Sequence, residues 1–340
     1  MPRSDQRIGS DGMPTTTPAT PDFSIILVNH NAVAFLQRCL ISIQRTRAAL
    51  RLQVILVDNA STDDSVPAAR TIMPELTCLT LSKNVGYVRA NNLGLRHATG
   101  QYILYLNNDT ELHPGCLSEL LRFLHAHPRA GAVSPQILNP DGSDQGCARR
   151  FPSAINGIFG RRSWLTRWFP HNPWSRRYML GRHQPGTEPF DVEMLSTACM
   201  AVPTALATAL GGMDEGYRHY WVDADLCDQI HKLGFRVCCL PSARITHFEG
   251  QGGSTGTWRQ RCRAILNFHR DAYRAYWRAH NLSSFHPLRW FAATALTTRA
   301  ASLMLLQALR PGLSNLAPLG RTACRTAYRP GIPVFGPNGA

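Results

Sequence analysis

Asp58 and Asp109 each follow a run of apolar residues, and that setting gives a carboxylate chemistry to do. Asp109 lies in Leu106-Asn107-Asn108-Asp109-Thr110, at the end of the apolar run Tyr102–Leu106, which has the length and composition of a buried strand. A carboxylate at the carboxyl end of a strand in an open α/β sheet sits where such sheets bind ligands. It can hold a hard divalent cation there, and the cation can clamp a diphosphate. Asn-Asn-Asp-Thr is also the composition of an ordinary turn. Upstream, Val54-Ile55-Leu56-Val57 runs into Asp58-Asn59 in the same way. Ser61 to Asp64 then read as a helix start with a capping box, which leaves Asp58 and Asn59 unexplained at the sheet edge. A third apolar run, Phe23–Val28, ends in Asn29-His30-Asn31. Three strands ending in polar clusters predict one shared ligand crevice.

The elements that must position these side chains follow from periodicity. Short apolar runs near 24–28, 54–57, 77–81, 102–106 and 131–134 alternate with amphipathic runs near 33–48, 64–72, 88–98 and 114–126. Such a βαβ series predicts a mainly parallel, Rossmann-like α/β sheet with helices on both faces. Residues 149–189 are rich in Pro, Arg and Trp and read as an insert or lid. Regular structure resumes over Phe190–Val202, and Pro203 opens a helix stopped by Gly211-Gly212. A helix is expected over Asp223–Leu233, strands over 235–240 and 243–246, and two basic helices near 257–279 and 287–309. The chain thus divides into a segment of disordered composition, 1–21, an α/β domain, 22–256, and a basic helical C-terminal extension, 257–340. A chain cut near Gly256 is expected to keep the donor pocket.

The net charge of +14 is uneven. Residues 257–340 carry twelve Arg and one Asp, and residues 149–187 carry eight Arg and no acid, so the remainder is mildly acidic. Both basic segments are interleaved with Trp, Tyr and Phe. That composition suits an anionic membrane surface, single-stranded nucleic acid or a solvated Arg-rich face. Trp290–Leu309 is long and apolar enough to raise a membrane span, but Arg299 falls mid-segment, where a bilayer would charge at least ~2.5 kcal/mol. An amphipathic helix lying in the plane of the membrane is the expectation. Ten scattered cysteines without a Cys-x-x-Cys pair argue against a zinc site or disulfide scaffold and for a reducing compartment. No signal peptide is expected.

Taken together, Ser24-Ile-Ile-Leu-Val-Asn-His-Asn, Val57-Asp-Asn-Ala-Ser-Thr-Asp, Asn84-Val-Gly-Tyr-Val-Arg-Ala-Asn-Asn92 and Leu106-Asn-Asn-Asp-Thr resemble the inverting family 2 glycosyltransferases of the GT-A fold. So do Ser196-Thr-Ala-Cys-Met, Gly211-Gly-Met-Asp-Glu and Asp223-Ala-Asp-Leu-Cys227. The resemblance covers about 23–255 and is nearest the rhamnosyltransferase-like branch that builds bacterial surface polysaccharides. It implies that Asn29 and Asp58 line the base and ribose pocket, and that Asn84 and Arg89 help hold the nucleotide diphosphate-sugar. It implies that Asp109 binds a divalent cation, Mg2+ or Mn2+, with Asn107 in place of the first Asp of the family's Asp-x-Asp. Asp223 matches the catalytic base and His247 a metal-completing histidine. From the residues alone, Asp223 is equally a helix cap, and a lone histidine such as His247 is more often structural, although its place at a strand end before a Gly-rich loop favours a ligand. Two departures stand out: the residue before the base, usually Glu, is Val222, and Phe248-Glu249 separate His247 from Gly250.

The chemistry implied is transfer of a sugar, dTDP-rhamnose being the first candidate donor, to a hydroxyl of a glycan or polyprenyl-linked saccharide by a single inverting displacement. The place implied is the cytoplasm, at the inner face of the membrane. The rival readings are a catalytically inactive nucleotide-sugar-binding protein and an RNA-binding module. The acidic core and the lack of an RNA-binding motif disfavour the latter, so no nucleic-acid partner is expected. Gly252-Gly253-Ser254-Thr255-Gly256 matches a hydrolase nucleophile elbow, but Asp271 is the one acid that follows it.

Overall fold

The strands nearest the crevice are buried almost from end to end, as strands covered on both faces must be. These are β1 (Phe23–Asn29), β2 (Leu52–Asp58) and β4 (Tyr102–Asn107). The computed structural model describes residues 20–151, 186–248 and 257–313, with Trp168, Phe169, Asn172, Pro173 and Tyr178 between the first two stretches. The expectations for residues 1–19, for most of the 149–189 insert and for the loop around Ser254 lie outside the described residues.

Period-two alternation distributes β2 between two layers. Val54 and Leu56 join the larger core with Leu36, Leu40 and Ile43 of α1 (Val33–Thr46) and Ala69 of α2 (Ser65–Ile72). Ile55 and Val57 face the other way, against Ala90 and Leu93 of α3 (Tyr87–Arg96). Each aliphatic side chain so buried contributes about 1.5–3 kcal/mol.

The sheet runs β3 (Thr77–Thr80), β2, β1, β4, β8 (Cys199–Pro203), β6 (Ala130–Leu138), β9 (Arg236–His247), β5 (Thr110–Leu112), with β7 (Phe190–Asp191) on β9. The first four are mutually parallel. β8 is antiparallel to β4 and β6, and β5 and β7 are antiparallel to β9. Six of nine strands therefore share one direction. The chain steps outward from β1 to β2 and β3, then returns to β4 on the other side of β1. That reversal opens a crevice at the carboxyl ends of β1 and β4. The register sets Asn29 beside Asp58 and Val28 beside Asn107.

Three local outcomes differ from the sequence expectations. Segments 235–240 and 243–246 are one strand, because an irregularity between the Pro135–Leu240 and Gln136–Arg244 pairs absorbs the break at Pro241. The stretch 190–202 is two strands joined by a loop. The capping box at Ser61–Asp64 does not form. Ser61 turns back to the crevice, donating its N–H to Asp58 Oδ2 at 3.1 Å and accepting from Asn29 Nδ2 at 3.1 Å. Asp58 is buried and needs donors more than the helix end does. Asp63 serves α2 instead, its carboxylate accepting the Ser65 N–H at 3.2 Å.

After α4 (Cys116–Ala126) and α5 (Thr204–Ala209), α6 (Val222–Lys232) lies against β9 and carries α7 (Trp258–Ala279), on which α8 (Pro287–Leu313) packs. Thr257 and Gln260 form a reciprocal capping box that starts α7. Arg299 of α8 donates to Nε2 of His269 in α7 at 2.9 Å, so the mid-helix cation serves helix packing. No helix among the described residues is long and apolar enough to cross a membrane.

Candidate active site

The crevice begins with an amide–carboxylate network. Asn29, wholly buried, donates from Nδ2 to Asp58 Oδ1 at 3.4 Å and accepts from Asn108 Nδ2 at 2.6 Å. Asn59 bonds Asn84 Oδ1 at 3.1 Å and accepts the Val85 N–H at 2.8 Å. The same Asn84 oxygen accepts the Gly86 N–H at 2.9 Å. Gly86 takes φ +89° ahead of α3, a conformation that favours glycine. These bonds fix the β2–β3 edge and the loop that leads into α3.

Asp109 meets His247 because β5, a three-residue strand absent from the sequence reading, pairs Thr110 with His247. The Phe248 N–H donates to the Asp109 carbonyl at 2.9 Å, closing the ladder. Asp109 Oδ1 lies 3.2 Å from His247 Nε2, and Asn107 Nδ2 lies 3.5 Å from the same nitrogen. Gln145 settles the imidazole's orientation. Its Oε1 lies 2.7 Å from His247 Nδ1, and its Nε2 donates to the His247 carbonyl at 3.2 Å. An amide that donates with its nitrogen must accept with its oxygen, so Nδ1 carries a proton, and Nε2 is the ring nitrogen left facing Asp109, which in the neutral imidazole offers a lone pair. A carboxylate oxygen and an imidazole lone pair facing each other form a donor set that fits a divalent cation. Among the described residues no third His, Cys, Asp or Glu joins them, so a cation held there would take its remaining ligands from outside this pair.

Asp223 is the second residue of α6 and accepts the Ala224 N–H at 3.0 Å. Burial pushes its carboxyl up, partly opposed by the positive charge of Arg149. The residue that precedes the helix, Trp221, sits at φ +64°, and its buried indole N–H has no hydrogen-bond partner among the described residues. Asp225, two residues on, is fully engaged by Tyr217 at 3.0 Å, Gln229 at 2.7 Å and Arg278 at 2.8 Å. It is a structural carboxylate. Tyr87 sits between the two halves of the crevice. Its hydroxyl donates to Asn107 Oδ1 at 3.2 Å, and burial pushes the phenol up to about 12, with Asp223 and Asp109 both adding to the rise.

The structure therefore gathers Asn29, Asp58, Asn84, Asn107, Asp109 and His247 at the strand ends, and Asp223, on α6, is near enough to Tyr87 to raise its pKa. Arg89 stands apart, exposed and paired with Glu215 at 3.2 Å. Sequence reasoning missed Gln145, Asn108 and Tyr87 as site residues, and took Arg149 as one charge among eight. Asn108 and Tyr87 lay inside motifs already marked; nothing in the sequence distinguishes Gln145.

Residues 24–181 match the family described as Glycosyl transferase family 2. Over 304 residues the chain is 31% identical to the N-acetylglucosaminyl-diphospho-decaprenol L-rhamnosyltransferase of Mycobacterium tuberculosis, an alignment that covers 84% of this chain and 94% of that one. The chain belongs to glycosyl transferase family 2. Two solved structures extend the likeness of this family 2 glycosyltransferase in fold. A mannosyltransferase of Pyrobaculum calidifontis, solved with GDP-Man and Mn2+, matches with a TM-score of 0.52 at 19% identity over 89% of this chain and 77% of its own. GalNAc-T7, solved with UDP, GalNAc and Mn2+, matches with a TM-score of 0.53 at 17% identity over 72% of this chain and 48% of its own. The glycosyltransferase thus has the GT-A fold its motifs imply.

Proposed function

We propose that this glycosyltransferase moves L-rhamnose from dTDP-rhamnose to a hydroxyl of a polyprenyl-diphosphate-linked saccharide, with inversion. The observation that carries the proposal is the set of polar groups brought together around the strand ends: the buried Asn29–Asp58 pair, the Asp109–His247 contact, and a carboxylate of raised pKa at Asp223. The name of the mycobacterial relative supports the sugar and the lipid carrier.

In this reading Asn29 and Asp58 hold the base and ribose and Asn84 flanks the diphosphate; Arg89, paired with Glu215, would have to leave that partner to reach it. Asp109 and His247 hold Mg2+ or Mn2+, which when bound neutralises charge on the departing nucleoside diphosphate. Asn107 and Tyr87 keep Asp109 and His247 in place. Asp223 takes the proton of the attacking hydroxyl. Its raised pKa brings its basicity nearer neutrality than an ordinary carboxylate's, which is what a general base needs. One base and one in-line attack invert the anomeric centre. Val222, in place of the usual Glu, leaves Arg149 as the charged neighbour that tunes this base. A polyprenyl carrier would hold the acceptor in a membrane, and in this reading the reaction runs at its cytoplasmic face.

The test is thermal stabilisation and turnover against a panel of nucleotides and activated sugars with and without Mg2+ or Mn2+. Metal-dependent stabilisation by dTDP, and turnover of dTDP-rhamnose on a short-chain polyprenyl-diphosphate GlcNAc, support the proposal. Preference for UDP-galactofuranose, UDP-galactose or UDP-GlcNAc would replace the donor and keep the mechanism. Indifference to every nucleoside diphosphate would sink the reading.

A further inference from the structure

Asp271 is the one acid among twelve arginines in residues 257–340, and it is completely buried within α7. A buried carboxylate requires donors, and here three consecutive backbone amides supply them. Arg218 donates to its two oxygens at 3.2 and 3.0 Å, His219 at 3.0 Å and Tyr220 at 3.1 Å. The next residue is Trp221, held in the left-handed region, and after it α6 begins with Asp223 in its first turn. A non-glycine residue stays in that region when its surroundings over-determine it. α7 does so on several sides. Phe268 packs on Tyr220 and Trp221 with ring centroids 5.4 and 5.5 Å apart. Arg274 binds Asp214 through two nitrogens, at 2.7 to 3.2 Å, below the same loop. On the loop's other side His219 lies edge-on to Tyr87, 5.2 Å between centroids, and so toward the hydroxyl that holds Asn107.

We propose that Asp271 is a positioning residue for sugar transfer: by gathering the amides of 218–220 it fixes how the chain enters α6 and therefore where Asp223 points. α7 is then a component of the active site, although it contributes no side chain to the strand-end cluster. The inference rests on Asp223 being the base. It gives the tail's single acid a task that the surrounding arginines cannot perform, since only an acceptor can collect three N–H groups.

The experiment compares the full chain with its Asp271→Asn variant by hydrogen exchange, dTDP binding with Mn2+, and turnover. Exchange at the amides of 218–220 should quicken on the order of tenfold while strand amides keep their protection. The dTDP affinity should stay within about twofold, and kcat should fall on the order of a hundredfold, the size of effect a misplacement of about 1 Å produces. An unchanged kcat in the variant, or 218–220 amides as protected as before, overturns the inference. So does joint loss of dTDP binding and cooperative unfolding, which would make Asp271 a folding residue. A wild type that neither binds dTDP nor turns over sugar indicts the functional reading instead, and the exchange result still decides whether Asp271 holds the loop.

Discussion

Asp223 and Asp225 stand two positions apart on one helix and should respond to substitution in opposite ways. Asp223→Asn removes the proposed proton acceptor and little else, so dTDP affinity should hold while kcat falls by roughly 10²–10⁴-fold. Because burial raises the Asp223 pKa, the folded state binds its proton more tightly than the unfolded chain does. The stability this group contributes is present at acid pH and lost as pH rises through its folded pKa. Asp223→Asn should therefore melt higher than wild type at neutral pH, with the gap closing in acid. The same shift places the acid limb of the kcat/KM profile above that of an ordinary carboxylate. Arg149→Gln should move that limb further up, since Arg149 is the charge that restrains the rise. At the other end of the crevice, Gln145→Leu frees the His247 tautomer and should weaken Mn2+-dependent dTDP binding by about 10- to 100-fold without touching a ligand atom. Titrating Mn2+ against both proteins at fixed dTDP measures it.

Elements act here by bringing ends together. β5 is three residues long and contributes little core, yet its pairing with β9 is what places Asp109 against His247. The irregularity in β9 shifts its register on β6 after Leu240 and lets the same strand run on to His247, which pairs with Thr110. α6 and α7 are joined by Arg278, whose guanidinium meets Asp225 at 2.8 Å and Asp214 at 3.5 Å. The Asp225 side chain is 4% exposed, so Arg278→Met leaves a buried carboxylate short of a charged donor. That should cost about 2 kcal/mol of unfolding free energy, read as a lower denaturant midpoint.

On the scale of the whole molecule, α7 and α8 form a basic helical layer whose outer face carries large apolar side chains. Phe285, Leu288, Trp290 and Phe291 are exposed around the turn between the two helices, while Leu305 and Leu306 of α8 and Arg259 and Arg263 of α7 are exposed elsewhere on the layer. Apolar side chains and arginines together suit an anionic leaflet, where each basic residue contributes about 1 kcal/mol that fades with salt. The full chain should float with anionic liposomes at low salt and be released at high salt, and Trp290→Glu with Phe291→Glu should reduce flotation while leaving dTDP binding intact. Equal flotation with neutral liposomes would mark the layer as ordinary packing. Cutting the chain before Thr257 is a harsher change, because it also strips Asp271, Arg274 and Arg278 from the loop that leads to Asp223. Turnover should then be lost as well as membrane affinity.

The sequence by itself determined the βαβ series, the strand-end positions of Asn29, Asp58 and Asn107, and the family these motifs resemble. Each of those depends on local patterning: continuous apolar runs, polar residues directly after them, and helical periodicity between. It could also count the arginines of the tail and notice one acid among them. Only the tertiary structure decided what those charges do. Asp109 and His247 are 138 positions apart and meet through a strand too short to show a period. Ser61 has the composition of a helix cap and serves a buried carboxylate instead. Asp271 binds a loop some fifty residues upstream through backbone amides, which carry no side-chain signature in any sequence. Partners distant along the chain are selected by the need to satisfy buried polar groups, and that need exists only once the core has closed around them.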